Sequence, residues 1–174
     1  MPDLRYPIGQ PSMGPAPSAE QRAVWIDQMA EAPARLREAV AGLTDAQLAT
    51  PYRPEGWTVR QLVHHVADSH MNGYVRLKLA LTEDEPTVKT YDQECWVTLG
   101  DISVVPVEIS LQLLEALHVR WVAAWRSLSA EQFGRRFRNP ELGLVTLGTH
   151  LGIYAWHGRH HAAHITELRR RNGW

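Results

Sequence analysis

Apolar residues recur every three or four positions along four long stretches of the 174-residue chain, the spacing that lines one face of an α-helix. Trp25, Met29, Ala32, Leu36, Val40 and Leu43 trace the first, a helix over about 19–43. Ser18 and Gln21 form a capping box at its start, and Pro33 predicts a kink or a break inside it. Val59, Leu62, Val63, Val66, Tyr74, Leu77 and Leu81 mark the second, about 58–82, behind the capping box of Thr58 and Gln61. The third carries Ile109, Leu113, Leu117, Trp121, Ala124 and Leu128, with Pro106 and Glu108 suited to its first turn. The fourth, about 146–171, presents Leu147, Leu151, Tyr154, Ile165 and Leu168 and ends at Gly173. No convincing alternating strand and no long-period repeat interrupts this pattern, so the chain reads as an all-α four-helix bundle.

The connections add detail. Thr44 to Gln47 is a capping box for a short turn that Pro51 ends, and Ser129 to Gln132 is another, good for a turn or two before Asn139-Pro140. The stretch from Glu83 to Val105 is long for a compact domain. It suggests a functional segment or a short helix of its own, and a crossover between helices two and three that departs from simple up-down neighbours. Residues 1–17 hold Pro2, Pro7, Pro11, Pro15 and Pro17, so they are non-helical and read as a loose N-terminal arm rather than an ordered strap. Residues 18–174 then form a single domain.

Composition narrows the class. With 44% hydrophobic and 21% charged residues and a formal charge of −1, the chain is globular and carries no electrostatic footprint for nucleic acid or an anionic membrane. Cys95 is the one cysteine; it cannot pair within the chain and reads as a packing residue. The N-terminal MPDLRYPIGQ lacks a secretory pattern and no apolar run spans a bilayer, so a cytoplasmic location is expected.

Candidate chemistry lies in the histidines. Four of the nine fall between Tyr154 and His164, on or beside positions where a bundle would place leucine. His157 and His161 are one helical turn apart, as are His160 and His164. The first pair lies closer to the stripe of Leu147, Leu151 and Leu168, and three imidazoles converging on one cation would explain why polar rings stand there. A further ligand must come from another helix, where His65, three residues after Leu62, is better placed than His64. His118 and His150 read as solvated or capping groups. Asp68, Tyr154, His164 and Glu167 are candidates to orient an imidazole through its distal N–H. Trp57 and Trp156 are ordinary core positions that could also wall a site. Arg169, Arg170 and Arg171 answer the negative end of the fourth helix. No phosphate loop, dinucleotide fingerprint, nucleophile elbow or zinc-peptidase motif is present.

The order Gly56-Trp-Thr-Val-Arg-Gln-Leu-Val-His-His-Val-Ala-Asp-Ser-His-Met-Asn72, then Tyr91-Asp92, then Tyr154-Ala-Trp-His-Gly-Arg-His-His-Ala-Ala-His-Ile-Thr166 resembles the YfiT-like branch of the DinB superfamily. The likeness extends to Tyr6-Pro-Ile-Gly9 and the closing Asn172-Gly-Trp174. It implies a four-helix bundle, often a homodimer, with one divalent metal on three histidines. Carried across by motif, those ligands are His65, His157 and His161. Three imidazoles suit Zn²⁺ or Ni²⁺ and leave a position open, for a water made acidic or for a thiol held as thiolate. The resemblance includes both hydrolases and transferases of low-molecular-weight thiols such as bacillithiol. Because no glutamate stands beside the ligands in sequence as a base, the expectation is transfer of a small thiol onto an electrophilic small molecule. Hydrolysis by activated water is the alternative, and a non-catalytic metal-binding stress protein the second.

Overall fold

Residues 3–11 and 16–174 are described by the computed structural model; the parts of the N-terminal arm at residues 1–2 and 12–15, Pro2 and Pro15 among them, lie outside the described residues. In chain order the elements are α1 (Ala19–Val40), α2 (Asp45–Leu48), α3 (Val59–Thr82), α4 (Gln93–Trp96), α5 (Gly100–Val104) and α6 (Val107–Arg126). A 3₁₀ turn (Gln132–Gly134), a hairpin of β1 (Arg136–Asn139) and β2 (Gly143–Thr146), and α7 (Leu147–Asn172) follow. Four of these, α1, α3, α6 and α7, are the long helices that the apolar periodicity predicts.

Local chemistry explains their starts. Thr44 and Thr58 each accept from the backbone N–H three residues on, while Gln47 and Gln61 reach back to the cap residue, so both capping boxes are complete. At α1 the Ser18 hydroxyl accepts from Gln21 at 3.2 Å without a return bond. Pro33 neither breaks α1 nor ends it: the helix runs on to Val40. Gly173, at φ 69°, closes α7 in the left-handed conformation that favours glycine.

The bundle is not a simple up-and-down one. His64 meets Ser110 and His70 meets His118, so α3 and α6 lie side by side and run parallel. Trp25 packs against Gly152 and Ala32 against Gly158, making α1 and α7 parallel too. Contacts of His65 with His161 and of Tyr154 with Ser69 set α3 against α7 in the opposite sense. Parallel α3 and α6 require the chain to return the full length of a helix, about 36 Å for 24 residues. That is the crossover expected between helices two and three. On the way Val88 donates to the Arg138 carbonyl at 2.9 Å, laying the linker along the hairpin edge.

That hairpin corrects the expectation of no strand. Phe137 and Val145 turn inward and Asn139 accepts from Glu141 and Leu142 across the turn. The apolar stripe of α6 also differs from the predicted one: Leu111, Leu114, Trp121, Val122 and Trp125 are buried, whereas Ile109 and Leu113 face outward.

The buried apolar residues fall into two clusters. One gathers Met29, Leu77, Trp121, Trp125, Phe137, Leu147 and Leu151; the other gathers Leu36, Leu62, Val66, Leu111, Leu114, Ile165 and Leu168. Histidines fill the level between them. Among the described residues no helix is long and apolar enough to cross a membrane.

Candidate metal centre

At that middle level α3 supplies His65 and His70, α6 supplies His118, and α7 supplies His157, His161 and His164. The Nε2 atom of His157 lies 3.3 Å from Nε2 of His65 and 3.2 Å from Nε2 of His161. One nitrogen from each of these three rings lies within 4.8 Å of the other two. Nitrogens bound tetrahedrally at about 2.0–2.1 Å from zinc stand about 3.3 Å apart, so the two closest separations have the size a shared ion requires.

The hydrogen bonds behind these rings fix where their protons sit. His118 Nδ1 is 2.7 Å from the Met29 carbonyl, and a carbonyl only accepts, so Nδ1 carries the hydrogen. His118 Nε2 is then the acceptor for His70 Nδ1 at 2.7 Å, and His70 Nε2 for His157 Nδ1 at 3.1 Å. His157 is left with a bare Nε2. From the other side His164 donates Nε2–H to the Arg5 carbonyl at 3.1 Å, leaving its Nδ1 to accept from His161 Nδ1 at 3.3 Å. His161 Nε2 is bare as well. All these rings are neutral, because burial pushes their proton affinity down: His118, His150, His65 and His164 to about 4, and His70, His157 and His161 well below the ordinary value.

Two bare acceptor nitrogens 3.2 Å apart repel unless a proton or cation lies between them. Burial disfavours the proton. A divalent ion fits the donor set, and the three-imidazole group passes this test on its own geometry.

The remaining residues sort by contact. Of the four candidates to orient an imidazole, His164 bonds one of the three rings. Tyr154 donates to the Ser69 carbonyl at 3.0 Å and sets its ring edge-on to His70, while Glu167 pairs with Arg170 at the surface. Asp68 is half-buried and its carboxyl is raised to about 6 by burial and by the charge of Asp101. His118 and His150 are not solvated: each is 2% exposed, and His150 donates to the Gly73 carbonyl at 2.9 Å inside a cage of Trp121, Trp125, Phe137 and Tyr154. Cys95 is exposed, not packed; its thiol donates to Asp92 Oδ2, and that hydrogen bond, with the carboxylate's charge, raises the thiol's proton affinity. Trp57 lies 4.6 Å, ring to ring, from His65, and Trp156 stacks on His160 at 4.1 Å. Arg169, Arg170 and Arg171 lie in the last turn of α7, where Arg171 donates to the Glu167 carbonyl, and Arg169 also reaches the Ala39 and Ala41 carbonyls at the end of α1.

The described part of the arm is a strap. Besides the Arg5 carbonyl on His164, the Gly9 carbonyl accepts from Trp156 Nε1 at 3.0 Å. Proline content alone points to a loose arm and does not reveal this, because the anchoring atoms are backbone carbonyls. Between strap and bundle a cleft of about 290 Å³, lined by Arg5, Tyr6, Trp57 and Glu94 among others, opens beside His161, His160 and His164.

The sequence from residue 28 to 165 matches the model of the DinB superfamily. The chain belongs to this superfamily. Its DinB relatives include a Bacillus cereus protein named "Putative metal-dependent hydrolase", 52% identical over 174 residues, all of both chains. YfiT of Bacillus subtilis, which bears the same name, is 50% identical over 173 residues, 99% of this chain and 97% of that one. The solved structure of YfiT, described as "a probable metal-dependent hydrolase with an unusual four-helix bundle topology", superimposes with a TM-score of 0.96 over 98% of each chain at 50% identity.

Proposed function

We propose that His65, His157 and His161 hold one divalent cation, Zn²⁺ or Ni²⁺, through their Nε2 atoms, and that the protein is a metal-dependent hydrolase of small molecules. The observation that carries this reading is the pair of bare acceptor nitrogens facing each other at 3.2 Å in a buried, uncharged setting. The relatives' shared name, "Putative metal-dependent hydrolase", supports the class.

A cation on three neutral ligands keeps its full charge and makes a water or thiol that reaches it far more acidic. The chain's own groups supply the rest. Trp57 packs against His65, and the cleft beside His161, walled by Trp57, Tyr6 and Arg5, has room for a small molecule. Asp68 stands one helical turn beyond His65, on the same side of α3. With a proton affinity raised to about 6, it suits a base that takes a proton near neutral pH and returns it to a leaving group. Asp68 is thus the candidate for the base that the sequence does not supply as a glutamate beside the ligands. Transfer of a low-molecular-weight thiol is the second reading. It is favoured by the same neutral ligand set, which stabilises a thiolate as readily as a hydroxide.

The test combines metal identification with turnover. An anomalous-scattering map should place one ion on residues 65, 157 and 161. A panel of esters, amides and lactones should show turnover without added thiol that is lost on chelation and reduced by Asp68→Asn. Turnover that requires both a thiol and an electrophile would replace hydrolysis by transfer, and a protein that takes up no metal would end both readings.

A further inference from the structure

We infer that His70 and His118 are positioning residues, a buried relay that fixes the tautomer of His157 so that its Nε2 stands bare towards His65 and His161. The inference rests on the reading of residues 65, 157 and 161 as a metal site, and goes beyond it by assigning a role to two histidines outside the ligand set.

The relay has a beginning, a direction and an end. It begins at the Met29 carbonyl. In an unbroken α-helix that oxygen accepts from the N–H four residues on, but residue 33 is a proline and has none. The freed carbonyl points at α6, and His118 Nδ1 donates to it at 2.7 Å. Each following ring has one N–H and one bare nitrogen, so the first bond dictates the second at 2.7 Å and the third at 3.1 Å. Reversal would leave a lone pair of His118 against the lone pairs of a carbonyl. His70 and His118 are 0% and 2% exposed, so no water competes for either ring. Three helices thereby agree on one orientation of the His157 ring. Glycine at 158 lets α1 approach: a Cβ there would stand 3.0 Å from Ala32 and 3.5 Å from the His70 ring.

A merely structural role for these rings would need packing alone, which phenylalanine supplies nearly as well. A relay needs an acceptor at the His118 Nε2 position. His118→Gln keeps an acceptor near that place, and His118→Phe removes it at similar volume.

The experiment is two-bond ¹H–¹⁵N correlation of histidine-labelled protein, first stripped of metal, then titrated with Zn²⁺ against a chromophoric chelator. In the stripped wild type, the spectrum should show His157 and His70 protonated on Nδ1. In His118→Phe the Nε2–H form of His157 should appear, and zinc affinity should fall on the order of 10–100-fold. His118→Gln should keep the wild-type tautomer and stay within a few-fold of its affinity. His157 protonated on Nε2 in the stripped wild type overturns the relay, as does a Phe variant that folds with tautomer and affinity unchanged. If His157 carries its hydrogen on Nδ1 but the wild type takes up no zinc, the metal reading fails while the relay stands.

Discussion

His118 holds the Met29 carbonyl at 2.7 Å, an oxygen that helix α1 cannot use because Pro33, four residues on, has no N–H to give it. A helix defect in one element thus becomes an anchor for a buried imidazole in another. The physical logic is ordinary: a buried carbonyl without a partner is costly, and so is a buried imidazole. Together they satisfy each other.

Pro33→Ala should separate stability from metal binding. Alanine is about 3 kcal/mol better than proline inside a helix, and its N–H gives Met29 its usual partner. The thermal midpoint should rise, less whatever packing the buried proline ring contributed. Zinc affinity should drop a few-fold, not collapse, since a carbonyl has two lone pairs and His118 can share it. A midpoint and an affinity that move in the same direction would contradict the scheme.

Metal loading should stabilise the native state, because the converging rings exist only when the chain is folded. At 100 times the dissociation constant, binding contributes about 2.7 kcal/mol, which for a chain of this size raises the midpoint by roughly 5–10 °C. Scanning calorimetry with and without Zn²⁺ checks this. His161→Ala should abolish the increment, and an equal increment in that variant would place the ion elsewhere.

Acid should unfold the stripped protein early. His118 and His150 have folded values of about 4 against an ordinary 6.5. Between those limits the unfolded chain binds protons that the native state refuses, so stability rises with pH and is lost as pH falls from 6.5 towards 4. Each of the two contributes on the order of 1.4 kcal/mol per pH unit within the window. Asp68, raised to about 6 from 3.8, acts in the opposite sense between those values and offsets part of the loss. Urea midpoints from pH 7 to 4.5 should fall steeply; a flat profile would mean that the histidines are not buried neutral.

Gly73 is where α3 lets two aromatic rings close on it. A Cβ there would stand 2.4 Å from Tyr154 Cζ and 2.7 Å from Trp121 Cη2. Gly73→Ala should therefore cost about 1–3 kcal/mol or more, and by displacing Tyr154 it should disturb the His70 ring packed edge-on against it. Gly100→Ala, with nothing within 4 Å, should leave stability unchanged or slightly higher. Equal midpoints for the two variants would refute the packing account.

Much of this was legible in the chain. Capping boxes and three of the four apolar stripes fall where the helices are, because both signals are local and depend on spacing alone. On α6 the sequence offered two apolar rows one residue apart. The row through Ile109, Leu113 and Leu117 is the more regular in sequence, but the buried row runs through Leu111, Leu114, His118 and Trp121. His118 interrupts the apolar continuity of the buried row, so neither that row nor the inward side of His118 stands out in the sequence. The hairpin escaped because four-residue strands with one or two buried side chains each give no alternation to count.

The sequence by itself determined a helical bundle with imidazoles on the inner faces of two helices, since periodicity fixes which residues share a face. Tertiary structure decided which nitrogens meet, which carbonyls are left over to orient them, and that residues 3–11 close over α7. Those outcomes depend on helix direction, rotation and approach, and on backbone atoms that every residue possesses. No pattern of side chains along the chain encodes them locally.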